Sequence, residues 1–181
     1  MALPETCARC LRQPPPFDAA LARFAYRFPV DRAIQRFKFG GDLVAGRWLA
    51  ECLAERVARE PRPDVVVSPP TTRTRLAQRG FDPALQVARR VARHLEVRCD
   101  PRLVRRRRDT GHQPGLDRRS RRENLRDAFE CRVRIDGARV AIVDDVMTTG
   151  ATAEAMARAL RHAGAARIEV WAVARTPEPG R

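Results

Sequence analysis

The chain has almost no lysine. Lys38 is the only one among 36 basic residues, so the other 35 are arginine. A GC-rich coding bias is the plain reading of part of that preference for arginine over lysine. It does not account for the excess over 22 acidic residues, which leaves a net charge of +14. A surface that basic attracts polyphosphates and nucleic acid alike. Long apolar runs are missing too, so nothing approaches the length of a membrane-spanning helix. Met1 to Cys10 lacks the apolar stretch of a signal peptide. These absences predict a cytoplasmic protein with no membrane insertion. Internal repeats are also absent. The three histidines, His94, His112 and His162, identify no general base, and no residue identifies an acceptor, so no catalytic residue is assigned. What is present suffices for one globular unit: 181 residues, 44% of them hydrophobic, exclude a disordered chain and allow a sizeable core.

Cysteine is sparse and odd in number, five in all. An odd count in a cytoplasmic chain argues against a disulfide framework. Cys7 and Cys10 have the spacing of half a zinc site, but a structural zinc takes four ligands and two are offered. A zinc site is therefore incomplete in this chain as written. Cys52, Cys99 and Cys131 read as buried apolar side chains.

The chain is organised around Arg139 to Thr152. Val140 to Val143 is a short apolar run suited to a strand buried in a parallel sheet. Asp144 and Asp145 follow at once, then Thr148, Thr149, Gly150 and Thr152, before an alanine-rich helix from Ala151 to His162 that ends at Gly164. A strand that turns through glycine into a helix N-terminus presents free N–H groups and a favourable dipole to an anion. The carboxylates repel a phosphate but accept hydrogen bonds from neutral hydroxyls. Together they describe a ribose 5-phosphate. The alternative is a plain turn capped by Thr148 or Thr149.

Elsewhere the chain alternates short strands and helices. Phe17 to Phe39 holds six of the ten aromatic residues. It reads as a hydrophobic flap packed on the main domain or as a stacking surface for bases, with a short helix N-capped by Asp31. Asp42 caps a helix from Leu43 to Arg59, and Asp64 to Val67 is a strand. The proline-stiffened loop after it carries Pro70, Thr71, Arg73, Arg75 and Arg79, candidates for binding a pyrophosphate at a strand's carboxyl end. Asp82 and Pro83 open a helix running to Leu95. Val97 to Val104 suggests a short β-pair around Asp100-Pro101. Ten arginines between Arg102 and Arg126 face only Asp109, Asp117 and Glu123, which carries half the net charge. This segment, with Arg105, Arg108, Thr110, Gln113, Arg121 and Asn124, reads as a basic lid containing a short helix from about Arg118 to Phe129. Ile168 to Val173 is a further buried strand. The expected organisation is an N-terminal arm over 1–41, an α/β domain over 42–176 and a tail over 177–181.

The stretch of an apolar strand, two acids and Thr-Thr-Gly-x-Thr resembles the 5-phosphoribosyl-1-pyrophosphate (PRPP) motif of the type I phosphoribosyltransferases. The order of further features resembles the ComF-type competence family. These features are Cys7-x-x-Cys10-Leu11, Phe37-Lys38-Phe39-x-Gly41, Arg79-Gly80-Phe81, and Thr110-x-x-Gln113-x-x-Leu116 with Arg121, Asn124 and Phe129. The resemblance implies a mostly parallel sheet flanked by helices. It implies that Asp144 and Asp145 hold ribose hydroxyls and that Met147, Thr148, Thr149, Gly150, Ala151 and Thr152 wrap the 5-phosphate. Mg²⁺ would arrive with PRPP. Two functions stay open: a transferase displacing pyrophosphate from PRPP, and a non-catalytic PRPP-sensing factor that handles single-stranded DNA or regulates nucleic acid. Partners implied are single-stranded DNA and the helicase or recombination proteins of DNA uptake. The family usually carries further Cys-x-x-Cys pairs upstream and Asn-Gln after Arg-Gly-Phe. Here the pattern breaks off at Met1, which leaves a lost site, a site completed by a second chain or, the favoured expectation, a start further upstream; and Asp82-Pro83 replaces Asn-Gln.

Overall fold

The structure, a computed structural model, describes residues 12–107 and 128–177. In chain order the elements are strand β1 (Ala19–Ala25), helices α1 (Val30–Gly40) and α2 (Leu43–Val57), and strand β2 (Val65–Val67). Helices α3 (Arg73–Arg79) and α4 (Pro83–Leu95) follow, then strands β3 (Arg98–Cys99), β4 (Val104–Arg106), β5 (Phe129–Cys131) and β6 (Arg139–Met147). Helix α5 (Ala151–His162) and strand β7 (Arg167–Arg175) complete the set.

Five strands form a parallel sheet in the order β1-β7-β6-β2-β3. Valine-rich β2 and the middles of β6 and β7 are buried without polar alternation, as a sheet covered on both faces requires. The side chains still alternate in direction. Ala141, Val143, Trp171 and Val173 pack on one face against Leu49, Leu53 and Val57 of α2 and Val87 and Val91 of α4. Val140, Ile142, Ile168 and Val170 pack on the other against Met156 and Leu160 of α5 and the β4–β5 ribbon. Each large side chain buried there contributes about 1.5–3 kcal/mol.

The expected caps form. The Asp42 carboxylate accepts from the Ala45 N–H and the Asp82 carboxylate from the Leu85 N–H, with Pro83 in the first turn. Other expectations need correction. Asp31 lies inside the first turn of α1, behind Pro29 at the N-cap position, and its carboxylate accepts from the neighbouring Arg32 N–H. Val97 to Val104 is no β-pair: β3 joins β2 in the main sheet while β4 pairs with β5, because each strand is recruited by a remote partner. The loop after β2 contains helix α3, capped by the Thr72 hydroxyl. Phe129 lies in a strand rather than closing a helix. Cys52, Cys99 and Cys131 are half-buried thiols rather than core residues. The aromatic segment packs on the main domain and supplies β1, an edge strand of the sheet alongside β7. Cys7, Cys10, Arg108, Thr110, Gln113, Arg121 and Asn124 lie outside the described residues. Among the described residues, no helix is long and apolar enough to cross a membrane.

Candidate functional site

From β2 the chain passes outward through α3 and α4 to β3; from β6 it passes the opposite way through α5 to β7. The two routes diverge at the β2–β6 boundary, on opposite faces of the sheet. Such a switch point leaves a crevice at the carboxyl ends of the strands. A cleft of about 1110 Å³ lies there, lined by the ends of β6 and β2, the first turn of α5, helix α3 and the end of α1.

Strand β6 runs on through both carboxylates to Met147, four residues beyond the apolar run. Successive side chains of a strand point to opposite faces, and the two acids differ accordingly. Asp144 is half-buried and accepts a hydrogen bond from the Asp145 N–H at 2.8 Å. Burial, and next the neighbouring Asp145 carboxylate, push Asp144 up to about 7, against the pull of Lys38. Asp145 is buried and accepts from Lys38 Nζ at 2.7 Å. Asp82 adds a third carboxylate to the lining. Burial raises it above the ordinary range, and Asp145 adds to that rise.

The turn after β6 places Thr148 in solvent and Thr149 half-buried. Gly150 has φ of 80°, a left-handed conformation that glycine adopts without strain. The Thr149 hydroxyl accepts from the Ala151 N–H at 3.3 Å, so the threonine-capping alternative is present in part. The first backbone hydrogen bond of α5 runs from the Glu154 N–H to the Gly150 carbonyl. The N–H groups of Thr152 and Ala153 precede it and carry the positive end of the helix dipole. Met147, Thr148, Thr149, Gly150, Ala151 and Thr152 all line the cleft.

The proline loop divides. Pro70, Thr71, Arg75 and Arg79 line the cleft, whereas Arg73 is exposed outside its lining. Arg105 turns to Glu130, which also takes Arg107 at 2.9 Å. Arg106, its neighbour on the opposite face of β4, lines the cleft with its guanidinium 5.4 Å from the centre of the Phe129 ring. Sequence reasoning does not reach Lys38, Phe39, Asp82 or Arg106 as site residues. The rarity of lysine is a signal for Lys38; nothing local marks Arg106 among so many arginines.

The phosphoribosyl transferase domain family matches residues 45–180. The DNA utilization protein YhgH of Escherichia coli strain K12 is 34% identical over 176 residues, covering 94% of this chain and 78% of that protein. Competence protein F of Haemophilus influenzae is 34% identical over 178 residues, covering 93% and 78%. Among solved structures, adenine phosphoribosyltransferase from Thermoanaerobacter pseudethanolicus is similar at 19% identity and a TM-score of 0.49, over 76% of this chain and 83% of that one. The family match over residues 45–180 and the two relatives, each 34% identical over more than nine-tenths of this chain, lead to one conclusion: the chain belongs to the phosphoribosyl transferase domain family, in the group of the ComF-type competence proteins.

Proposed function

We propose that the cleft binds PRPP with Mg²⁺ and transfers its phosphoribosyl group. The observation that carries this reading is the acid pair running straight into the Thr-Thr-Gly turn at the α5 N-terminus, inside the switch-point cleft. Asp144 and Asp145 accept the ribose hydroxyls, and the turn from Met147 to Thr152 takes the 5-phosphate on backbone N–H groups. Arg75 and Arg79 line the same cleft, with Pro70 and Thr71 beside them, and on this reading the two arginines take the pyrophosphate. The chemistry is displacement of pyrophosphate from the ribose C1 by a nucleophile. The protein supplies positioning and stabilisation of the leaving charge.

The donor set fits Mg²⁺ carried on the ligand's own oxygens and water, an ion that asks for few protein ligands. Its contribution when bound is to offset the charge of the pyrophosphate. We assign it no side chain.

A second reading, a PRPP-sensing factor that handles single-stranded DNA without turnover, is favoured by a separate observation. Phe28, Phe39 and Trp48 are exposed among arginines, and the Arg23 guanidinium sits 5.0 Å from the Phe24 ring centre. Bases stack on such surfaces. The names of the relatives, a DNA utilization protein and a competence protein, support a link to DNA for either reading.

Calorimetry with PRPP and Mg²⁺ tests the site, and pyrophosphate release separates the readings. Binding that is lost in a folded Asp144→Asn/Asp145→Asn variant supports the assignment. Unchanged affinity in that variant overturns it. Pyrophosphate release with one of a panel of bases, or with single-stranded DNA, identifies a transferase. Binding without release under all of them favours the sensing factor.

A further inference from the structure

Wherever this chain needs a basic residue it uses arginine, with one exception. That exception, Lys38, stands in the cleft on the acid pair. Its Nζ lies 2.7 Å from Asp145 Oδ1, with side-chain exposures of 19% for the lysine and 12% for the aspartate. Lys38 comes from the last turn of α1, ahead of the segment that the family matches, residues 45–180. It is delivered by packing. Its neighbour Phe37 is buried against Gly46 and meets the Phe81 ring at 5.3 Å between centres.

The cleft poses an electrostatic problem that Lys38 answers. Asp82, Asp144 and Asp145 bring three carboxylates to a site read as taking a polyphosphate. A desolvated carboxylate left unpaired is costly, and its field opposes an anionic ligand. Asp145 raises both Asp144 and Asp82, and Lys38 pulls Asp144 the other way. The choice of lysine has a geometric reason. An ammonium is a compact point charge, whereas a guanidinium fork tends to span both oxygens of a carboxylate. Lys38 engages Oδ1 at a single point, and the Asp144 carboxyl bonds to the same Asp145 side chain.

We propose that Lys38 is a positioning residue of the ligand site: it holds the Asp145 carboxylate toward a ribose hydroxyl and cancels its charge toward the phosphates. This rests on the reading of the cleft as a PRPP site. Affinity for PRPP with Mg²⁺ is measured by calorimetry for the wild type, Lys38→Met, Asp145→Asn and the double variant, with melting curves as the control for folding. Directly paired charges couple strongly, so Lys38→Met is expected to weaken binding about tenfold in the wild type. In the Asp145→Asn background the same change is expected to cost less than about threefold. Should Lys38→Met fail to fold, Lys38→Gln, which keeps a hydrogen-bond donor without the charge, takes its place in both backgrounds. Unchanged affinity in Lys38→Met overturns the proposal. So does an equal loss in both backgrounds, which would mean that the lysine acts on the ligand or the fold directly. If the wild type binds no PRPP, the ligand reading itself falls and this proposal falls with it, an outcome distinct from wild-type binding that Lys38→Met leaves intact.

Discussion

The guanidinium of Arg79, at the end of α3, lies 4.7 Å from the centre of the Phe39 ring, at the end of α1. Both residues line the cleft. The contact joins the end of α1 to the helix that follows β2, so the cleft is built from parts remote in sequence. A cation held over a ring is oriented by it, which leaves the Arg79 N–H edge for an anion.

The cleft therefore distinguishes arginines that the sequence presents as equivalent. Arg79→Ala is expected to weaken binding of inorganic pyrophosphate about tenfold or more, the loss of one charge-assisted hydrogen bond at ~1.5–3 kcal/mol. Arg73→Ala, outside the lining, is expected to stay within about twofold of wild type. Calorimetry of the two variants decides it, and equal losses would remove Arg79 from the site.

Asp144 gives a pH dependence whose sign follows from its raised value. Its carboxyl is held near 7 in the fold and titrates near 3.9 when unfolded. Between those values the folded state binds the extra proton, so stability attributable to this group falls as pH rises from about 4 to about 7 and levels off above. Asp144→Asn removes the dependence. The melting temperature of the variant relative to wild type is expected to rise through that window. A constant difference from about pH 4.5 to about pH 8 would mean that Asp144 is not held protonated.

Gly46 is a close-approach position. A Cβ built there would sit 2.3 Å from the Phe37 ring, which is itself buried. Gly46→Ala is expected to cost about 1–3 kcal/mol, as overpacking does, despite alanine's better helix propensity. Denaturant unfolding reads the change. Because α1 carries Lys38, the same variant is expected to weaken the ligand site, and a gain in stability would show that α1 yields without cost.

Gly150 carries a different constraint. Its φ of 80° penalises any side chain, while the atom nearest to a Cβ at this position would be the flexible end of Met147, at 3.0 Å. Gly150→Ala is expected to lose about 1–2 kcal/mol of stability through backbone strain and to weaken binding of ribose 5-phosphate. Unfolding curves together with calorimetry check both parts. Intact binding with lowered stability would separate the turn from the phosphate.

Much of the candidate site is legible in the sequence because its signals are local. The run Val140 to Val143, the acid pair, the glycine turn and the alanine-rich helix succeed one another within one strand-turn-helix unit, and each declares itself by side-chain type and spacing. The caps at Asp42 and Asp82 are local for the same reason, since a side chain reaches three residues ahead. Where the sequence misleads, a remote partner decides. Asp100-Pro101 resembles a hairpin turn, yet β3 is drawn to β2 and β4 to β5.

Residue order alone establishes that a glycine-containing turn follows a buried parallel strand and opens a helix, and which residues form it. Only in three dimensions does Lys38 reach Asp145 across 107 positions, does Arg106 rather than Arg105 face the cleft, and does Arg73 fall outside it. Those outcomes depend on how α1 packs on α2, on which strand pairs with β4, and on the exit of α3 from the sheet. Packing and strand pairing join residues far apart in the chain, so no pattern within a single segment encodes them.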